Sequence, residues 1–221
     1  MAGSQSTTVL TISRQLGSGG SFIGREVAKR LRFHYVDRDI LHEAAKTLHV
    51  DDADLEALEE RVDSFWERLA PLFLLGVTGG PIMPPLPPNV SASTVFATES
   101  GIIRAVAARE NVVIIGRGGA HVLTGHPGVI SVFVHASEPV RVRRTVQAYG
   151  LSDPVAATQM VRRSDHQRAD FNKALTHRDW TDASLYDLCV NTSSLALEEA
   201  ADVVVQIVAN RLAESERMKE S

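Results

Sequence analysis

The sequence predicts a three-layered α/β fold built on a parallel five-stranded sheet, and three observations predict it. Short β-branched runs alternate with amphipathic stretches along the chain, the pattern of a sheet covered by helices on both faces. The run Val112-Val113-Ile114-Ile115 has no polar alternation, so it suits a strand buried on both sides. The first run passes through a glycine-rich turn straight into a helix, in the segment Thr8-Val9-Leu10-Thr11-Ile12-Ser13-Arg14-Gln15-Leu16-Gly17-Ser18-Gly19-Gly20-Ser21-Phe22-Ile23-Gly24.

Residues 1–7 are small and polar and read as a frayed leader. Strand one spans about Thr8 to Ser13. The helix after the glycine turn runs to about Arg32, with Ile23, Val27 and Leu31 at i, i+4 and i+8. Phe33 to Asp37 form a second strand that ends on an acid, and Arg38 to Leu48 read as helical. From Asp54 onward, Leu55, Leu58, Val62, Phe65, Leu69 and Leu72 step by three and four among acids, giving a helix with one narrow apolar seam that Pro71 ends near Ala70. That seam packs on the chain's own core or serves self-association, which leaves a homodimer open.

Gly76 to Ser93 hold three glycines and five prolines and read as a loop, because the segments on both sides are needed for one sheet. A helix from about Ser93 to Arg109, with Val95, Ile102, Ile103 and Val106 inward, leads into strand three at Val112–Ile115. Val129 to Ala136 form strand four. Pro139 opens the next helix and Gly150 stops it. Asp153 to Leu175 are helical and arginine-rich, Tyr186 to Val190 form strand five, and Leu197 to about Leu212 a closing helix. The chain is therefore read as one domain over 1–221. Its core covers about 8–37, 93–150 and 186–212.

The totals narrow the function classes. Lys and Arg number 23 against 27 Asp and Glu, a formal charge of −4 and a sequence pI near 6.1, which disfavours a dedicated nucleic-acid binder. Cys189 is the single cysteine, so no internal disulfide forms and a reducing, cytoplasmic setting is expected. The most apolar window, Leu69 to Val77, contains Pro71 and falls far short of the ~20 residues that a membrane helix needs. The eight histidines show no zinc spacing, so no side-chain metal site is expected.

The chemistry gathers on the glycine turn. Gly17, Ser18, Gly19, Gly20 and Ser21 direct backbone N–H groups and a helix N-terminus at one point, which suits a phosphate. Two loop patterns compete for it. A dinucleotide loop uses Gly17, Gly19 and the acid Asp37, which suggests an NAD-dependent oxidoreductase, but Phe22 occupies the place of the third glycine. A mononucleotide loop puts Ser21 at the magnesium-binding hydroxyl and Gly20 where a lysine normally stands, which makes Arg14 the nearest replacement cation. If Gly20 has room for a side chain, Gly20→Lys should raise ATP affinity.

Other candidates lie where ligands of parallel sheets bind. Arg117 follows strand three between glycines, at the carboxyl end of the sheet. Arg162, Arg163 and Arg168, just before strand five, offer fork-shaped phosphate donors. Arg141, Arg143 and Arg144 read as surface or acid-paired residues. Trp66 and Trp180 read as packing residues.

Several of these segments occur together in one family. Ile12-Ser13-Arg14-Gln15-Leu16-Gly17-Ser18-Gly19-Gly20 with Ile23-Gly24, then Tyr35-Val36-Asp37, Gly116-Arg117-Gly118 and Tyr186-Asp187-Leu188-Cys189-Val190-Asn191-Thr192-Ser193 make the chain resemble the cytidylate kinase-like family from about Val9 to Val208. The resemblance implies a P-loop NTPase-like nucleoside monophosphate kinase fold, with a helical and Pro-rich acceptor-binding insertion over about 38–92 and a lid over about 151–180. It implies transfer of the γ-phosphoryl of ATP to a pyrimidine nucleoside monophosphate, CMP or dCMP, with nucleotide small molecules as partners. Gly17 to Ser21 then match the donor phosphate loop, Asp37 and Arg117 the acceptor-binding residues, and Arg163 and Arg168 the catalytic lid arginines, with Arg14 supplying charge in the loop. The chain departs from the pattern where Gly20 replaces the loop lysine and where Ile115 and Gly118 replace acids. Mg²⁺ is then left to waters and substrate phosphates. The missing lysine also motivates an alternative, a nucleotide-binding sensor or regulatory protein of the same fold.

Overall fold

The computed structural model describes residues 7–37 and 92–219. The predicted Arg38–Leu48 helix, the Leu55–Leu72 seam and the Pro-rich stretch before Ala92 lie outside the described residues. The β-branched runs form the strands β1 (Val9–Arg14), β2 (His34–Val36), β3 (Val112–Ile115), β4 (Val129–His135) and β5 (Leu188–Asn191). They pair in the order β2-β3-β1-β4-β5, all parallel. Parallel neighbours need crossovers, and the helices supply them: α1 (Gly20–Leu31), α2 (Ala92–Arg109), the short α3 (Gly119–Val122), α4 (Glu138–Tyr149) and α5 (Pro154–Thr176). A closing helix, α6 (Leu197–Lys219), follows β5.

β1 and β3 lie inside the sheet, and the whole of β3 is buried, which is why its sequence shows no polar alternation. Alternate residues of β1 serve two cores. Leu10 and Ile12 pack with Ile23 and Val27 of α1 and Ala200, Ala201, Val204 and Val208 of α6. Val9 faces the opposite side with Val112, Ile114 and the inward Ile102, Ile103 and Val106 of α2. On that second face β4 carries Phe133, whose ring stacks on Tyr186 at 5.1 Å and meets the edge of Trp180 at 5.5 Å. Trp180 is buried there and its carbonyl accepts from the Tyr186 hydroxyl at 2.7 Å, so it is a packing residue, as its sequence reading has it.

Helix ends follow the expected chemistry. Pro139 sits in the first turn of α4, and Gly150 ends it at φ 60°. Asp153 caps α5 by accepting from the Val155 N–H at 2.8 Å. Strand five differs from expectation, starting at Leu188 rather than Tyr186. The Asp187 carboxylate accepts both the N–H and the hydroxyl of Ser131 at 2.7 Å, so that stretch is anchored by a side chain before the ladder begins. α6 runs on to Lys219, and α3 is too short to leave a periodic signature.

Candidate active site

The glycine loop lies at the carboxyl end of β1, and its backbone is held from behind. Gly17 and Gly19 take left-handed conformations at φ 77° and 86°, which glycine enters without penalty. Three carbonyls of the loop are occupied from behind. The Gln15 carbonyl accepts from the Ser18 N–H at 3.3 Å and its hydroxyl at 2.8 Å. The Leu16 carbonyl accepts from Arg141 at 3.4 Å, and the Ser18 carbonyl from Thr192 at 2.7 Å and Arg144 at 3.4 Å. By contrast, the N–H groups of Leu16, Gly17, Gly19, Gly20 and Ser21 meet no acceptor among the described residues. Five convergent donors at a helix N-terminus make an anion cradle.

Arg141 and Arg144 are struts of this loop. Arg141 is buried, donates Nε to the Ala136 carbonyl at 3.0 Å and pairs with Asp165 at 2.7 Å, so it is acid-paired as expected but not on the surface. Arg144 donates to the hydroxyl and carbonyl of Thr192, both at 2.9 Å. Arg143 is exposed.

Arg14 ends β1 and fills the space that Gly20 leaves open. A Cβ at Gly20 would come 2.5 Å from Arg14 Cβ and 3.0 Å from its Cγ. The position has no room for a lysine, so the conditional gain expected of Gly20→Lys has no structural basis. The Arg14 guanidinium continues over Gly116, where a Cβ would clash with it. Two glycines, one in the loop and one at the end of β3, thus form the channel that carries a cation into the site. A third, Gly24, lets α1 approach the sheet, since a Cβ there would collide with Ile115. Phe22 faces outward and is 37% exposed, so the close-packing glycine stands two residues later than the dinucleotide pattern requires.

The lid arginines diverge. α5 is one continuous helix, and five residues turn it by roughly 500°, leaving Arg163 and Arg168 about 140° apart. Arg163 is exposed. Arg168 lies on the inward stripe with Ala157, Val161, Ser164, Asp165 and Phe171, and donates to the Ser164 carbonyl at 3.3 Å and to the Ser164 hydroxyl. Burial, and next the nearby charge of Arg14, pull its pKa down to about 10. It still carries its charge at neutral pH, but against a penalty that an anion would relieve. Arg162 is spent on an exposed fork with Glu138, at 2.7 and 3.0 Å. The i, i+3, i+4 stripe of α5 is the signal that separates Arg168 from its two neighbours.

Arg117 follows Gly116 in a left-handed conformation at φ 55°, which is uncommon for a side-chain-bearing residue and concentrates at functional sites. Its Nε and Nη2 both donate to one oxygen of Glu99, at 2.7 Å for Nε, and Glu99 is 2% exposed. Its guanidinium lies 5.2 Å over the Phe171 ring of α5. Sequence reasoning misses Glu99. Its signal is an acid in the inward stripe of Ile102, Ile103 and Val106. Asp37, after β2, faces Arg25 at 3.8 Å, and Arg25 lies 5.2 Å over the Tyr35 ring. Arg25 and Tyr35 were also missed as members of the site. Arg14 therefore lies near both Arg168 and Tyr35, Asp37 stands beside Tyr35 and Arg25, and Arg117 reaches Phe171 on the α5 stripe that carries Arg168, while Arg163 points elsewhere. Among the described residues no three His, Cys, Asp or Glu cluster to hold a metal.

The sheet order separates the two loop readings. In dinucleotide-binding folds strand one lies beside strands two and four, whereas β1 here lies between β3 and β4. Solved structures agree with a kinase-type topology. A gluconokinase from Sinorhizobium meliloti aligns at TM-score 0.52 and 16% identity, over 98% of this chain and 99% of that one. A shikimate kinase from Bacteroides thetaiotaomicron aligns at 0.50 and 13%, over 91% and 98%. An uncharacterized protein from Eubacterium ventriosum aligns at 0.68 and 19%, over 92% and 99%. The gluconokinase and the shikimate kinase are P-loop kinase folds, and the likeness is one of fold. Among curated proteins, a cytidylate kinase from Sulfolobus acidocaldarius is 23% identical over 203 residues, 91% of this chain and 94% of that enzyme. A uronate isomerase from Corynebacterium glutamicum is 30% identical over 123 residues, 56% of this chain but only 24% of that enzyme. The sequence pattern of the cytidylate kinase-like family matches residues 9–194. With loop, strand order and family pattern in agreement, the chain belongs to the cytidylate kinase-like family.

Proposed function

We propose that the protein transfers the γ-phosphoryl group of ATP to a pyrimidine nucleoside monophosphate, CMP or dCMP. The observation that carries this reading is the meeting of a donor-rich loop with two arginines, Arg14 and Arg168, near enough that Arg14 adds to burial in lowering the Arg168 pKa. Such a site is poised for a polyphosphate. In the reaction an oxygen of the acceptor monophosphate attacks the γ-phosphorus. The bond to the bridging oxygen breaks, and ADP leaves with the electron pair. The protein's task is alignment and charge stabilisation. Gly17 to Ser21 hold the donor phosphates, Arg14 stands in for the loop lysine, Arg117 and Asp37 orient the acceptor, and Arg168 stabilises charge on the moving group. Arg163 joins them only if the lid turns.

Magnesium fits this site as a substrate-borne ion, since Ser21 offers a hydroxyl and Mg²⁺ commonly takes one or two protein ligands plus phosphates and water. When bound it neutralises charge between the phosphates. No described helix is long and apolar enough to cross a membrane. The lone, exposed Cys189 favours a cytoplasmic setting.

A coupled assay of ADP release over a panel of nucleoside monophosphates tests the reading, with turnover expected for CMP or dCMP. No turnover with any acceptor overturns it. Tight ATP or CMP binding without turnover would instead favour the sensor.

A further inference from the structure

Tyr35 lies on the α1 face of β2, where its ring packs on Gly24 and under the Arg25 guanidinium. The residue is only 7% exposed, yet its hydroxyl has no hydrogen-bond partner among the described residues. The Ser21 side chain of the phosphate loop approaches it as a weak hydrogen-bonding neighbour, but no partner meets full hydrogen-bond geometry. Arg14, Arg25 and Asp37 are the charged groups near it. Burying an unpaired hydroxyl costs free energy that a phenylalanine would avoid, so a β-strand with a purely structural need has no use for it.

The neighbours say what would pair with it. Burial, and next the negative charge of Asp37, push the Tyr35 pKa up to about 12, so the group keeps its proton and can donate. The loop beside it presents N–H donors and the two arginines present cations, all of which call for the same kind of partner, an anionic oxygen.

We propose that the Tyr35 hydroxyl is a ligand-binding donor, held dry and unpaired in the free protein and paired with a phosphoryl oxygen seated between the loop and Arg14. This rests on the phosphoryl-transfer reading for the identity of the ligand, and on burial and position alone for the donor itself. It makes Tyr35 a residue that the free protein carries at a cost and that only the complex repays.

Tyr35→Phe separates this from a packing role. The test measures thermal unfolding of wild type and Y35F, free and with ATP, CMP or inorganic tripolyphosphate, together with binding by calorimetry. The expected result is a free Y35F protein as stable as wild type or more so. Its binding to at least one probe should be about 10- to 100-fold weaker, the range for a lost hydrogen bond to a charged group. Unchanged binding of every probe overturns the proposal, and so does a free Y35F protein that unfolds at lower temperature, because the hydroxyl would then already be paired. If tripolyphosphate binding depends on Tyr35 while no acceptor gives ADP release, the donor stands and the transfer reading falls. Wild-type binding of none of the probes sinks both.

Discussion

At the residue scale, Arg117 combines two demands that a mutation can pull apart. Its side chain neutralises Glu99, which is 2% exposed, and its remaining donors are the ones proposed for an acceptor phosphate. Arg117→Ala takes a bidentate cation from a buried carboxylate, so it is expected to destabilise the protein by about 3 kcal/mol, read as a lower urea midpoint. Adding Glu99→Gln to that variant removes the buried charge. The double variant should recover most of the lost stability while acceptor binding by calorimetry stays weak. Recovery of both properties would mean that Arg117 serves only to neutralise Glu99.

At the element scale, α4 and α5 are joined by two pairs with matched spacing, Glu138 with Arg162 and Arg141 with Asp165. The pairs look alike in sequence but differ in surroundings. The first is exposed on both sides, where solvent screening leaves an ion pair little net value. The second includes a 5%-exposed arginine that also holds the Leu16 carbonyl, and an aspartate whose Oδ1 is already buried without a partner. Arg162→Ala should therefore leave the unfolding midpoint and ATP binding near wild type. Arg141→Met should lower stability by about 2 kcal/mol, because the half-buried Asp165 loses its hydrogen-bonded cation and the Leu16 carbonyl loses a donor, and should weaken ATP binding by releasing the loop. Equal effects from the two changes would show that the loop does not depend on its strut.

At the scale of the whole molecule, what could be read in the sequence was what is local. Val112–Ile115 declared a buried strand by its lack of alternation, Pro139 and Gly150 marked the ends of a helix, and the glycines marked the turn from β1 into α1. Strand order was hidden, because β1 pairs with partners about a hundred residues away and any order satisfies the same runs. Glu99, Arg25 and Tyr35 were hidden for another reason, since each meets its partner on a neighbouring element, a pairing that helix and strand periodicity does not encode. Arg168 and Arg163 could have been told apart by helical phase, which a count of arginines ignores. The assembled site bears on stability as a whole, because a bound anion would offset the repulsion between Arg14 and Arg168. Tripolyphosphate at 100 times its Kd should add about 2.7 kcal/mol, which for a chain of this size raises Tm by roughly 5 to 10 °C. Arg168→Met removes a buried cation that Arg14 repels. Its free Tm should match or exceed that of wild type, and its tripolyphosphate-induced shift should shrink to a small fraction. High salt should reduce the wild-type shift in the same direction, by screening the charges that draw the anion in. A full-sized shift in Arg168→Met would place the anion elsewhere and remove α5 from the site.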